Sequence, residues 1–394
     1  MRKALNLALL PAVLAVAACR GSYTGLTQGV GGGPSGTPVS WSQLAPGQEQ
    51  TCGVSASGPA YCWGTNDVGE IGDGTTIAVR YTPMLVAGGL TFTALAAGAS
   101  HSCGIAADSA AFCWGSNASA QIGDGSTTNR SAPAAVSGGL KFAQFSAGAS
   151  HTCGIATSGS AYCWGDNGAG ELGVGDTTRR GQPTLVGGIM ALSFASVSAG
   201  DWSASHHTCG ITPGQVTYCW GDNALGELGT GDTVRHTLPT AVAGPVKFAA
   251  VAAGGPHSCG LTAAGAAYCW GDNLYGELGT ADTLRRLAPA AVTGTLVFSS
   301  LTAGGAYTCG LVSGTAYCWG YNVFGQLGVG DTLRRPFPSA VAGGLEFQSL
   351  TAGFDHTCGI TTAGRAYCWG RNLQGQLGDN TTSNRSKPVA VQNP

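Results

Sequence analysis

The chain has 394 residues, of which 43% are apolar and 10% charged, and its 18 Lys+Arg against 20 Asp+Glu give a formal net charge of -2. With no basic run, it lacks the electrostatic footprint that nucleic-acid binding requires, so DNA and RNA are excluded as expected partners. Fifteen cysteines in such a chain direct attention to a covalent framework.

At the N-terminus, Arg2 and Lys3 precede an apolar run over residues 4–18, too short to span a bilayer and ending in small residues. Residues 1–18 therefore read as a secretory signal peptide. The segment Val16-Ala17-Ala18-Cys19 resembles the bacterial lipobox, and that resemblance implies that Cys19 becomes the lipidated first residue, with membrane contact through this anchor only. Ordinary cleavage after Ala18, leaving a free thiol, is the alternative. Processing at this point removes Arg2 and Lys3 and leaves 16 basic against 20 acidic residues, a net charge of -4. Arg20 follows Cys19, which by resemblance to sorted lipoproteins favours an outer membrane or cell surface. Residues 19–40, rich in Gly, Ser and Thr, read as a tether with a root-mean-square reach of about 25 Å. Residues 41–394 read as one monomeric domain.

In that domain the remaining cysteines form seven pairs that recur every 49 to 56 residues. Cys52 goes with Cys62, Cys103 with Cys113, Cys153 with Cys163, Cys209 with Cys219, Cys259 with Cys269, Cys309 with Cys318 and Cys358 with Cys368. Such a period marks a solenoid or propeller in which each copy buries its apolar face on its neighbours. In the third copy, residues 142–146, 151–155, 161–165 and 183–186 read as four strands, which make one blade. A ten-residue cysteine separation centres on a three-residue loop whose third residue is Gly58, Gly159, Gly265 or Gly364 in four copies. This suits a type I turn followed by a left-handed residue. In the sixth copy the loop shortens to Ser313-Gly314. Counting back from either loop sets the two cysteines opposite each other at a non-hydrogen-bonded position, close enough for a disulfide. Zinc spacing of the C-x-x-C kind is absent, and a secreted chain meets an oxidising compartment.

The same register puts Tyr162 opposite Gly154 and Trp164 opposite Thr152, on the face away from the disulfide, with an aromatic ring expected over the cross-strand glycine. The recurring Trp63, Trp114, Trp164, Trp220, Trp270, Trp319 and Trp369 are thus expected in the core between blades. His101, His151, His207, His257 and His356, two residues before a cysteine, are spread one per blade and replaced by Gln50 and Tyr307 elsewhere. A structural hydrogen bond is the expectation there, not metal ligation.

The pattern A-G-x-x-H-T-C-G-I, then A-Y-C-W-G-x-N-x-x-G-E-L-G, then a proline and a short apolar strand, resembles the repeat of the regulator of chromosome condensation family. The asparagines Asn66, Asn117, Asn167, Asn223, Asn273, Asn322 and Asn372 stand in register. The resemblance covers the chain from about residue 38 to its end and implies an all-β, seven-bladed propeller of four-stranded antiparallel blades. Function does not follow from fold. The family's nuclear founder is a guanine-nucleotide exchange factor that binds chromatin, but this chain has a secretion signal, no basic tail and no wedge-like insertion, so none of its residue roles transfer. A secreted relative that inhibits β-lactamases suits the compartment better, through rim residues that find no match here.

The last strand, over residues 388–391, and the opening residues 41–44 are expected to pair in one blade and close the ring. The hairpin between strands two and three shares a face with the connection leaving strand four, and the long connections such as 166–182 are assigned to that face. Each carries an arginine near its end, Arg80, Arg130, Arg180, Arg235, Arg286, Arg335 or Arg385, and Asp176, Asp232, Asp282 and Asp331 suggest loop-internal salt bridges, with an anion-attracting rim as the alternative. Asp166, Asn167 and Glu171 offer too few oxygen ligands for calcium. The fourth copy departs from the pattern by an insertion over residues 201–206, on the long-loop face.

Aromatic and apolar residues that escape the repeat, Trp202 and His206 with Leu225, Tyr275 and Phe324, are the candidate binding residues. No catalytic motif, metal site or cofactor site is recognised. The expectation is a non-catalytic envelope lipoprotein whose propeller binds a protein or a glycan on the long-loop face. An enzyme using the central channel, or an envelope component without a specific ligand, are the rival readings.

Overall fold

The computed structural model describes residues 39–188, 192–200 and 206–394. The signal peptide, Cys19 and nearly all of the tether lie outside these residues, as does Trp202. Among the described residues, twenty-eight strands, β1 to β28, form seven four-stranded antiparallel sheets, each built from four strands consecutive in the chain. The fold is all-β, with seven blades.

Blade three shows the construction. It contains β9 (Phe142–Ala147), β10 (His151–Ala156), β11 (Ala161–Gly165) and β12 (Arg180–Leu185). Across β10 and β11 the pairs are Thr152 with Trp164, Cys153 with Cys163 and Gly154 with Tyr162, the register expected from the loop. The other six hairpins repeat it. Disulfides join Cys52 to Cys62, Cys103 to Cys113, Cys153 to Cys163 and Cys209 to Cys219 in blades one to four. Blades five to seven join Cys259 to Cys269, Cys309 to Cys318 and Cys358 to Cys368. Every expected pair is therefore present, with Cα–Cα distances of 4.0 to 4.1 Å. Gly58, Gly159, Gly265 and Gly364 all have positive φ, and the two copies without glycine put Ser109 and Gln215 in the same left-handed conformation.

The ring over Gly154 comes from a different strand than expected. A Cβ there would meet Phe142 and Phe145 of β9, not Tyr162. The same holds around the ring, where Phe92, Phe194, Phe248, Phe298 and Phe347 crowd Gly104, Gly210, Gly260, Gly310 and Gly359. Aromatics in or just before the first strand therefore crowd these glycines, while Tyr162 stays half-buried.

The repeating tryptophans are fully buried and cross the blade boundary. Trp164 lies where a side chain on Gly123 of the preceding blade would stand, and its indole N–H donates to the Gln121 carbonyl at 2.9 Å. This is what the recurring Glu/Gln-Leu-Gly segment is for: the carbonyl receives the indole, the Leu or Ile fills the core and the glycine leaves room for the ring.

Two expectations from chain order fail. The long loop joins strand three to strand four, so with alternating strand direction it emerges beside the loop between strands one and two, opposite the disulfide hairpins. The terminal strands also do not pair. β1 (Trp41–Pro46) already completes blade one and β28 (Arg385–Ala390) completes blade seven, so each terminal strand belongs to its own sheet. The ring closes by packing β1 against β25 (Phe347–Ala352) and β26 (His356–Thr361), and by the bond from Trp41 N–H to the Gly364 carbonyl. The outer edges remain, and each carries a proline within its fourth strand, from Pro83 to Pro388, where it blocks pairing with another chain.

Candidate functional site

Each long loop is organised by its asparagine. Asn167 donates from Nδ2 to the Asp176 and Thr178 carbonyls and accepts the Leu172 N–H at Oδ1, closing the loop on itself. The arginines are held inside these loops. Arg80, Arg130, Arg180, Arg286, Arg335 and Arg385 pair with Asp73, Asp124, Asp176, Asp282, Asp331 and Asp379. Blade four differs, with His236 near Asp232 and Arg235 donating to the Gly168 carbonyl of blade three. The paired aspartates are held below the usual carboxylate range, Asp176 chiefly by the Thr178 N–H and the Arg180 guanidinium. This arrangement favours loop stiffening over an anion-attracting rim.

The recurring histidines also tie blade to blade. His101, His151, His207 and His257 place Nε2 2.8 to 2.9 Å from a Thr or Ser hydroxyl in the next blade. Because Thr152 Oγ1 donates to the Gln121 carbonyl, it accepts from His101, which fixes the Nε2–H tautomer. Protonation at Nδ1 of His101, His151, His257 or His356 would bury an unpaired N–H, and burial pushes His101 down to about 4 and the other three to about 3. Gln50 reaches the Gly98 carbonyl and Tyr307 the His356 carbonyl, so the substituted copies keep the inter-blade bond.

On the long-loop face, Leu225, Tyr275 and Phe324 occupy the same loop position in blades four, five and six. Their N–H groups donate to Glu227, Glu277 and Gln326. The structure brings Tyr275 and Phe324 together through Tyr321, which the sequence reading missed. The Tyr275 and Tyr321 ring centroids are 4.6 Å apart, Tyr321 and Phe324 meet edge-on at 6.3 Å, and the Arg371 guanidinium lies 5.6 Å above the Phe324 ring. Arg371 is held by Glu49 at 3.0 Å and stands 3.9 Å from Asp355. Burial pushes Asp355 up to about 6 and Glu277 up to about 7. Leu274, Leu284, Val323 and Leu333, each more than half exposed, lie on the same loops of blades five and six. Leu225, in blade four, is not part of this strip of rings.

His206 is enclosed to 16% side-chain exposure, with Nδ1 3.2 Å from Glu171 Oε1 and 3.8 Å from Asp166 Oδ2. The hydrogen bond with Glu171 is the main cause raising its pKa. First strands line a central channel of about 530 Å³ with Gln43, Gln144, Ser146 and Thr302 among its polar groups. Several of these stitch neighbouring blades, as Gln43 does to both main-chain groups of Leu95.

The molecule is thus a seven-bladed β-propeller whose blades each carry an internal disulfide hairpin. The model of the regulator of chromosome condensation (RCC1) repeat matches residues 57–105, 108–155, 158–208, 214–261, 313–360 and 363–394, and the chain belongs to that family. Human WBSCR16 has a similar fold, with a TM-score of 0.76 at 20% identity over 85% of this chain and 95% of that one. Prp20p of Saccharomyces cerevisiae, described with binding properties to Gsp1p and histones, gives 0.75 at 20% identity over 90% and 88%. Human HERC4, a probable E3 ubiquitin-protein ligase, is 34% identical over 83 residues, 21% of this chain and 8% of its own length.

Proposed function

We propose that this propeller is a non-catalytic protein-binding module of the cell envelope, anchored through lipidated Cys19, that presents its long-loop face to a protein partner. The observation that carries the reading is the strip Tyr275, Tyr321, Phe324 and Arg371. It breaks the sevenfold repeat, spans three blades and combines rigid aromatic area with an arginine, the composition of interface hot spots. Exposed aliphatics beside it extend the surface.

Seven disulfides support an oxidising compartment. The chain enters the propeller at β1, on the disulfide-hairpin face, opposite the long loops. The named activities of Prp20p and HERC4 belong to those proteins.

Proximity labelling in cells, comparing the parent with a Tyr275→Ala/Phe324→Ala variant, tests the face. A partner enriched by the parent and lost by the variant supports it, and identical labelling by both places binding elsewhere. Replacing Cys19 by Ser should release the protein from membranes, and unchanged fractionation counts against the anchor.

A further inference from the structure

We infer that the junction of blades three and four binds a divalent transition-metal ion of the zinc class through Asp166, Glu171 and His206. One donor atom from each lies within 4.8 Å of the other two. Metal–ligand bonds of about 2.1 Å set tetrahedral or octahedral ligand atoms roughly 3.0–3.4 Å apart. The His206 Nδ1 distances, 3.2 Å to Glu171 and 3.8 Å to Asp166, approach that spacing, and a small movement of the partly exposed Asp166 completes it.

The arrangement is particular to this junction. The residue before the second strand is Glu49, Ser100, Ser150, Pro256, Ala306 or Asp355 in the other blades, so among the described residues only here does an imidazole face the fully buried carboxylate of the preceding loop. Asp222 adds negative charge beside His206, while Arg235, the nearby cation in the adjoining loop, is engaged by the Gly168 carbonyl. One nitrogen and two carboxylates suit zinc or a similar borderline ion, whereas calcium needs six to eight oxygens. The ion would tie the start of β14 (His207–Ile211) to the loop of blade three.

The test is a Zn2+ titration by calorimetry of the full chain, with any affinity tag removed and Cys19→Ser to eliminate the thiol outside the disulfides. One equivalent should bind and raise the melting temperature. Asp166→Asn, a change on an exposed loop, should weaken binding about tenfold or more, His206→Ala should remove it, and His236→Ala should leave it unchanged. An absence of saturable Zn2+ uptake, or equal uptake by the parent and a folded Asp166→Asn variant, would overturn the site and leave a plain His206–Glu171 ion pair.

Discussion

The His356 imidazole of the last blade lies 2.7 Å from the hydroxyl of Thr51 in the first, so the bond that links His101, His151, His207 and His257 to the next blade also spans the seam of the ring. Thr51 Oγ1 donates in turn to the Gln376 carbonyl at 2.8 Å. Thr51→Val keeps the shape and removes both bonds. It should cost about 1–3 kcal/mol, because the His356 N–H and that carbonyl are left buried without this partner. A urea midpoint equal to the parent's would show that packing alone closes the ring.

Acid should weaken the fold through its buried histidines. His101, His151, His257 and His356 ordinarily titrate near 6.5 but are held at about 4 or about 3 in the fold. Their folded pKa values are depressed, so above 6.5 both states are neutral and stability is unaffected. Below it the unfolded chain takes up protons that the fold refuses, and stability falls until the folded values are reached. At pH 5 the four together cost on the order of 8 kcal/mol. Glu277 and Asp355, pushed up to about 7 and about 6, act in the opposite sense and return roughly 3 of that. Melting temperature should therefore drop steeply from pH 7 to 5, and a flat profile would contradict the buried neutral imidazoles.

Gln215 holds φ of 60° at the hairpin position where four other copies use glycine. Gln215→Gly should stabilise the protein by about 0.5–1 kcal/mol by relieving left-handed strain. A lower melting temperature would mean that the glutamine side chain contributes more than its backbone costs.

Trp164 and Phe324 should respond in opposite ways to truncation. Trp164→Ala empties a fully buried site and removes the bond to Gln121, a loss of about 3–5 kcal/mol. Phe324→Ala, at a half-buried surface ring, should leave stability within about 1 kcal/mol of the parent while reducing partner binding. A binding-neutral Phe324→Ala would remove the aromatic strip from the proposed face.

Digestion without reductant and mass spectrometry should return seven disulfide-linked pairs, each joining cysteines 9 or 10 residues apart. Any link between blades would refute the hairpin register.

Much of the blade was legible because hairpin register is a local property. Loop length and a left-handed residue fix which side chains oppose one another, so Cys153 with Cys163 and Thr152 with Trp164 followed by counting. The same counting holds for Cys309 and Cys318, where a shorter loop gives the same opposition. The inter-blade role of the tryptophans followed from their period. What escaped depends on the curvature of the whole ring. Phe145 and Phe142, not Tyr162, cover Gly154 because β9 pairs with the other edge of β10 and sets Phe145 opposite Gly154, a pairing that counting along one hairpin does not reveal. The face of the long loops is a question of strand parity, and the closure depends on whether residues 41–46 complete their own sheet. Tyr321 reaching Tyr275, and His206 turning onto Glu171, are contacts between residues 35 or more apart on adjoining blades, for which the sequence offers only the hint that these positions break the repeat.

The covalent framework stops at every blade boundary, and this sets how the molecule yields to a mechanical load. The first and last strands sit in adjacent blades, so a pull on them acts first on the seam, where only non-covalent contacts resist. Blades should then peel away one at a time, since each contacts only its neighbours. Each releases less chain than its length implies, since the stretch between its two cysteines stays looped and cannot extend until the disulfide is reduced.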